Sequence, residues 1–174
     1  MLFKKAFTTF ENIAVAGILV GIALVIIGNI NTRKEAQLSA RIKADLELIQ
    51  GAVSNLKHDT GESPLHLDTE ECASGPIVNL QDPGVGLITT DGRFQNWQGP
   101  YLNESVSTDP WGEPYYFNGN FQCFAKSGCE NAWGLSSQVI QSSGSDKGLN
   151  TASENELSDD FVAVICAKES KNGK

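Results

Sequence analysis

Two hydrophobic patterns follow one another in the first sixty residues. Residues 13–30 are almost wholly apolar, interrupted only by glycine and Asn29, which predicts a membrane-inserted helix. Leu38, Ile42, Leu46, Ile49, Val53 and Leu56 then recur at spacings of four and three, the signature of an amphipathic helix with one buried stripe. No proline separates Phe7 from Leu56, so the two patterns are expected on one helix, about 75 Å long at 1.5 Å per residue. That is far more than the roughly 30 Å of a bilayer core, so half of it is expected in the membrane and half against a folded head. Gly28 and Asn29 are poor helix formers and sit at the junction, the expected place for a bend or local melting. Gly61 and Pro64 then stop the helix just beyond His58.

Beyond the helix the pattern weakens. Asp82-Pro83-Gly84, Asp91-Gly92 and Gly99-Pro100 are turn signals around short apolar stretches, so little regular structure is expected over residues 65–105. Tyr115, Tyr116 and Phe117 open a strand, Val139 and Ile140 form a short one, and residues 161–166 form another. The predicted class is α+β: a long N-terminal helix packed on a small antiparallel sheet.

Composition narrows the function. A chain of 174 residues holds one modest domain after its first thirty residues, and leaves no room for a second, catalytic one. Thirteen basic against 21 acidic residues leave a net charge of −8 with no basic stripe, which argues against nucleic acid as a partner. Cys72, Cys123, Cys129 and Cys166 all fall in the polar part, implying an oxidising compartment and two disulfides. Three pairings are possible; spacing favours Cys123 with Cys129 and Cys72 with Cys166, while the sequence leaves connectivity open. A metal site is the weaker reading, since there is neither a C-x-x-C nor a neighbouring histidine. His58 and His66 both lie at the helix-ending turn, and no nucleophile–base arrangement, P-loop, dinucleotide fingerprint or H-E-x-x-H motif is present. An enzyme is not expected.

Lys4 and Lys5 before the apolar run look like the start of an export signal, but no small-residue cleavage site follows the apolar core, so the segment is expected to be retained. The charge balance on its two sides is ambiguous; the cysteines favour an exported head. Gly17 and Gly21 form a G-x-x-x-G that would permit close helix packing. Glu11 sits at the edge of the apolar helix, where a carboxylate near mid-bilayer costs about 2.5 to 3.5 kcal/mol. It is therefore either solvated at headgroup level or neutralised by another chain or a new N-terminus. Lys4 to Glu11, followed by the apolar run, resembles the processing site of type IV pilins and pseudopilins. The resemblance implies cleavage between Ala6 and Phe7 by a prepilin peptidase, methylation of the Phe7 amine, and Glu11 as the fifth mature residue, neutralised by Phe7 of a neighbouring subunit. It implies a leader at 1–6, a polymerisation helix at 7–30 and a head at 31–174 that includes an amphipathic helix at 31–57. Ala6 departs from the family's usual glycine, and Gly28 stands where a proline is usual.

Two head motifs extend the resemblance. Gly99-Pro100-Tyr101-Leu102 and Asp109-Pro110-Trp111-Gly112-Glu113-Pro114-Tyr115 closely resemble the G-P-Y-L and D-P-W-G-x-P-Y signatures of the major pseudopilin of type II secretion systems. Pro110 and Gly112 suit a tight turn, Asp109 can accept from its amides, and Trp111 is expected to pack against the helix rather than form an open sugar or peptide platform. Gly144, Asp146 and Gly148, followed by Asp159 and Asp160 before a strand, resemble the family's calcium loop, with Asp146, Asp159 and Asp160 as implied ligands. The loop is longer than usual and Lys147 replaces a common glycine. It is not an EF-hand. Residues 65–96 and the cysteine-bearing insert match no motif. The resemblance implies a subunit of a type II secretion pseudopilus, a homopolymer working with other pseudopilins, an inner-membrane assembly platform and prepilin peptidase. It would be single-pass in the inner membrane with its head in the periplasm, and its filament periplasmic or extracellular. The alternatives are a type IV pilus subunit, or a membrane-anchored binding or adhesion module that uses the loop around Cys123 and Cys129.

Overall fold

A computed structural model describes residues 9–67, 72–124, 128–149 and 160–168, with side chains from residue 33 onward. They fall into two units, Met1–Ala40 and Arg41–Lys174. Helix α1 (Thr9–Thr60) is the only α-helix among the described residues and runs 52 residues. It continues through Gly28 and Asn29, so the local melting expected there is not found. A glycine costs a helix about 1 kcal/mol but keeps both its hydrogen-bonding groups, and one such residue need not open the ladder. Among the described residues no helix is long and apolar enough to cross a membrane; the side chains of the apolar run at 13–30 lie outside them.

The helix stops where Gly61 turns to φ +73°, a left-handed conformation that glycine adopts without a Cβ penalty. Its amide donates to the Lys57 carbonyl at 2.8 Å, and the Thr60 hydroxyl donates to that of Leu56 at 2.7 Å. Pro64 then opens a 3-10 turn, Pro64–His66.

Four antiparallel strands follow in chain order across one sheet: β1 (Ile77–Asn79), β2 (Tyr116–Gln122), β3 (Ser136–Ser142) and β4 (Phe161–Lys168). β1 was not legible in the sequence, because three residues carry no period, and β3 is longer than the Val139–Ile140 core that marked it. Phe117 pairs with Ile140 and Ile140 with Ala163, which aligns apolar side chains of three strands on one face. Against that face the α1 stripe Ile42, Leu46, Ile49, Val53 and Leu56 is buried, joined by Leu80, Val85, Leu87, Phe94 and Leu102 from the irregular segments. Irregular backbone thus supplies much of the core. On the other face Phe121, Val139 and Val162 form a second cluster with Cys123, Cys129 and Ala132.

Two bridges close the head: Cys72 with Cys166, 94 residues apart, and Cys123 with Cys129, six apart. In the chain-entropy view a cross-link stabilises by restricting the unfolded chain, more for a longer loop. Replacing Cys72 and Cys166 together by serine is expected to cost about 4 to 5 kcal/mol, and replacing Cys123 and Cys129 about 2 kcal/mol. Urea unfolding followed by tryptophan fluorescence checks the order; equal losses would contradict it.

Candidate functional site

The segment 109–115 is built around one carboxylate. Asp109 is buried, and its Oδ1 accepts the backbone amides of Trp111 at 3.0 Å and Glu113 at 2.9 Å. The Gly112 amide donates to the Asp109 carbonyl at 3.0 Å, closing the turn, with Pro110 pre-set for its second position. The other carboxylate oxygen, Oδ2, accepts the Ser142 hydroxyl at 2.7 Å. Asp109 therefore shapes its own turn and fastens it to the end of β3.

A second link runs beside it. Lys147 in the loop after β3 donates to Glu113 at 2.8 Å, a partly exposed pair that also raises the Lys147 pKa. Lys147 has φ +62°, in the left-handed region that glycine adopts most readily. Below these links a row of polar side chains crosses the sheet. Asn118 of β2 donates to Gln141 of β3 at 2.9 Å, and Gln141 donates to Asp160, just before β4, at 2.8 Å. All three are buried. Such groups stabilise only when their bonds are made, so the row fixes strand register as well as joining strands.

The two tyrosines of the head motifs both reach α1. Tyr115 has no exposed surface, and its phenol donates to Asp45 at 3.1 Å. Burial, then the charge of Asp45, pushes the phenol's pKa far above its ordinary value, so it remains a donor. Tyr101, whose hydroxyl accepts the Gln98 amide at 2.9 Å, is close enough to Asp59 near the end of α1 for the two to act on each other: burial foremost raises the phenol's pKa, while Asp59 is held below the usual carboxylate range by the His58 hydrogen bond first. Asp45 and Asp59 are 14 residues apart, about 21 Å along the helix. Two of the three tryptophans, Trp97 and Trp111, also pack on the core. Trp97 donates its indole N–H to the Gly86 carbonyl at 2.7 Å and meets Tyr101 edge-on at 5.9 Å, while Trp111 packs against the core near Phe161. These rings serve the core and not an open platform.

Of the residues singled out by sequence, Ala6, Phe7 and Asp159 lie outside the described residues, and Glu11 is described only as α1 backbone. Asp146 is exposed, its Oδ1 accepting the Gly148 amide at 2.7 Å; Asp160 is buried beside the Ser142 end of β3. The Ser143 hydroxyl is buried and has no hydrogen-bond partner among the described residues. Among the described residues no three His, Cys, Asp or Glu side chains converge on a point. His58 is exposed beside Asp59, and His66 stacks on Phe94 and bonds Glu62. Sequence reasoning missed the Tyr115–Asp45 tie, for which it holds no local signal. It also missed the exposed aromatics Phe124 and Trp133.

Comparison with known proteins adds one finding. Residues 80–128 match the family described as Type II secretion system (T2SS), protein G, a span that contains both head motifs. The match supports the resemblance to the major pseudopilins and, at that level, a structural subunit of a secretion system. No curated protein and no solved structure matches the chain.

Within the matched span Asp109 carries most of the local order. Asp109→Ala leaves two amides and the Ser142 hydroxyl without their acceptor, and is expected to cost about 2 to 4 kcal/mol. Asp109→Asn keeps the turn acceptor and should cost less than half as much. Glu113→Gln, which loses only the exposed pair with Lys147, should fall within about 0.5 kcal/mol of wild type. Thermal melts of the three variants test this ranking.

Proposed function

We propose that this chain is a subunit of a type II secretion pseudopilus, held in the inner membrane through residues 7–30 until it polymerises, with the head at 31–174 in the periplasm. The observation that carries the reading is the family match over 80–128, whose second motif supplies Tyr115, the tie from the sheet to Asp45 of α1. A subunit of a fibre built by stacking helices would need its head held to the helix segment it packs on. Burial of the apolar half-helix against other copies would supply the stability of such a fibre. Processing would remove residues 1–6, and the methylated amine of Phe7 in one subunit would neutralise Glu11 of the next. Prepilin peptidase, an assembly platform and other pseudopilins are the partners this reading requires, and growth of the fibre would move folded proteins outward. The competing reading, a membrane-anchored binding module, draws on the exposed Phe124 and Trp133.

Processing and assembly separate the two. Co-expressed with a secretion apparatus, the chain should yield a methylated Phe7 N-terminus by mass spectrometry, and Glu11→Ala should lose sedimentable fibre at least tenfold. An uncut Met1 terminus with no oligomer would leave the binding module.

Calcium belongs to the same reading. The buried Asp160 carboxylate and the buried, unbonded Ser143 hydroxyl are oxygen donors of the kind that calcium takes, and Asp146 and Asp159 would complete the acidic set. The ion's part would be to neutralise these carboxylates and hold the loop after β3 to the start of β4. At a calcium concentration a hundredfold above Kd, the head should gain about 2.7 kcal/mol, and Asp160→Asn or Asp159→Asn should abolish the gain. A melting temperature indifferent to calcium and chelator would remove calcium from the account.

A further inference from the structure

We propose that Phe124 and Trp133 dock on the outer face of α1 around Leu48 of a second copy of this chain, joining heads in an open head-to-tail series. The inference rests on the reading of the chain as an assembling subunit, and names a contact that subunit would use. Among the described residues the exposed large hydrophobic side chains are Leu48 at 59 %, Phe124 at 37 % and Trp133 at 60 %. Two of the three stand together: the rings of Phe124 and Trp133 meet edge to face, 5.6 Å between centroids.

The aromatic pair is held in place before any partner arrives. Cys123 and Cys129 are bridged. The Cys123 amide donates to Leu135 at 3.0 Å, and the Gly134 amide returns to the Cys123 carbonyl at 2.8 Å. Beneath the loop, Cys123, Cys129 and Ala132 pack on Phe121, Val139 and Val162. Gly128 lies so close to the Val162 carbonyl that any side chain there would collide with it. Rigid aromatic anchors lose little freedom on binding and often dominate interface energy. An exposed tryptophan on so constrained a loop is therefore better placed for a contact than for solvent.

The position of Leu48 decides the kind of contact. The loop covers the sheet face carrying Val139 and Val162, whereas α1 packs on the face carrying Ile140 and Ala163. An open cleft of about 500 Å³ borders both the loop and the α1 flank of Lys43, Glu47 and Gln50. Leu48 lies about 130° around the helix from that flank, at 100° per residue. Both patches remain exposed in the folded chain, so neither covers the other within one molecule. Two different patches on different sides join heterologously, and each added copy leaves one of each exposed, so the series stays open.

Charge favours the same pairing. Glu130 is exposed on the aromatic loop and stays ionised through the backbone amides of Glu130 and Gly128. Arg41 lies two turns before Leu48 on the same side of α1, its side chain 57 % exposed despite a 3.6 Å approach to Asp45. Glu130 beside the aromatic pair and Arg41 beside Leu48 thus give the two patches opposite charges.

The test uses the full chain, co-expressed with prepilin peptidase and an assembly platform. One copy carries a photo-crosslinking amino acid at position 133 and a second carries an affinity tag. Crosslinks between the two copies that map to residues 41–48 are the expected result. Glu130→Arg and Arg41→Glu should each lower their yield about fivefold or more, and the two together should restore it. Normal fibre with crosslinks elsewhere on the chain, to a different protein or to a polysaccharide would overturn the contact and leave the assembly reading standing. No fibre from the processed wild-type chain would overturn both.

Discussion

Tyr115 donates its phenol to Asp45 of α1 from a position with no exposed surface, and the relation of helix to sheet depends on that bond. An apolar stripe such as Ile42, Leu46, Ile49, Val53 and Leu56 is attracted to any apolar surface and by itself specifies neither rotation nor axial position. A directional bond from a fully buried donor does specify them, because slipping by a residue would strand the phenol without an acceptor. Tyr101, only partly buried, approaches Asp59 near the helix end. The Tyr115 tie converts a greasy contact into a registered one.

The same logic governs the far end of the sheet. Asp109 satisfies the amides of its own turn and the Ser142 hydroxyl at once, so the turn before β2 and the end of β3 share one acceptor. The row Asn118, Gln141 and Asp160 extends polar satisfaction across three strands. Where the second sheet face is not covered by helix, polar pairing and a disulfide loop take the place of a second layer. The two covalent bridges add to this order by restricting the unfolded chain.

Seen this way, the Cys123–Cys129 loop does two jobs. Cys123 and Cys129, with the following Ala132, complete the second core cluster, and Phe124 and Trp133 beside them meet edge to face on the exposed side. A filament subunit needs surfaces that are incomplete in the monomer and complete only in a series. The pinned aromatic pair and the separate Leu48 face have that character.

What the amino-acid sequence determined by itself was whatever local pattern encodes: the long helix from a proline-free run whose second half carries a 3.6-residue period, its stop from Gly61 and Pro64, and the Asp109 turn from Asp, Pro and Gly in order. The resemblance to the major pseudopilins was likewise legible, because it rests on contiguous motifs, and the match over 80–128 supports it. Tertiary structure decided what depends on residues far apart in the chain. Asp45 is an ordinary charged helix position until Tyr115, seventy residues on, arrives beside it. Asn118, Gln141 and Asp160 read as scattered polar residues until strand register stacks them. The three-residue β1 exists only because β2 offers it a partner, and nothing local in the sequence separates the exposed Trp133 from the packed Trp97 and Trp111. Local propensity acts over a turn or a strand, whereas burial and hydrogen-bond satisfaction are set by whichever segments the fold brings together.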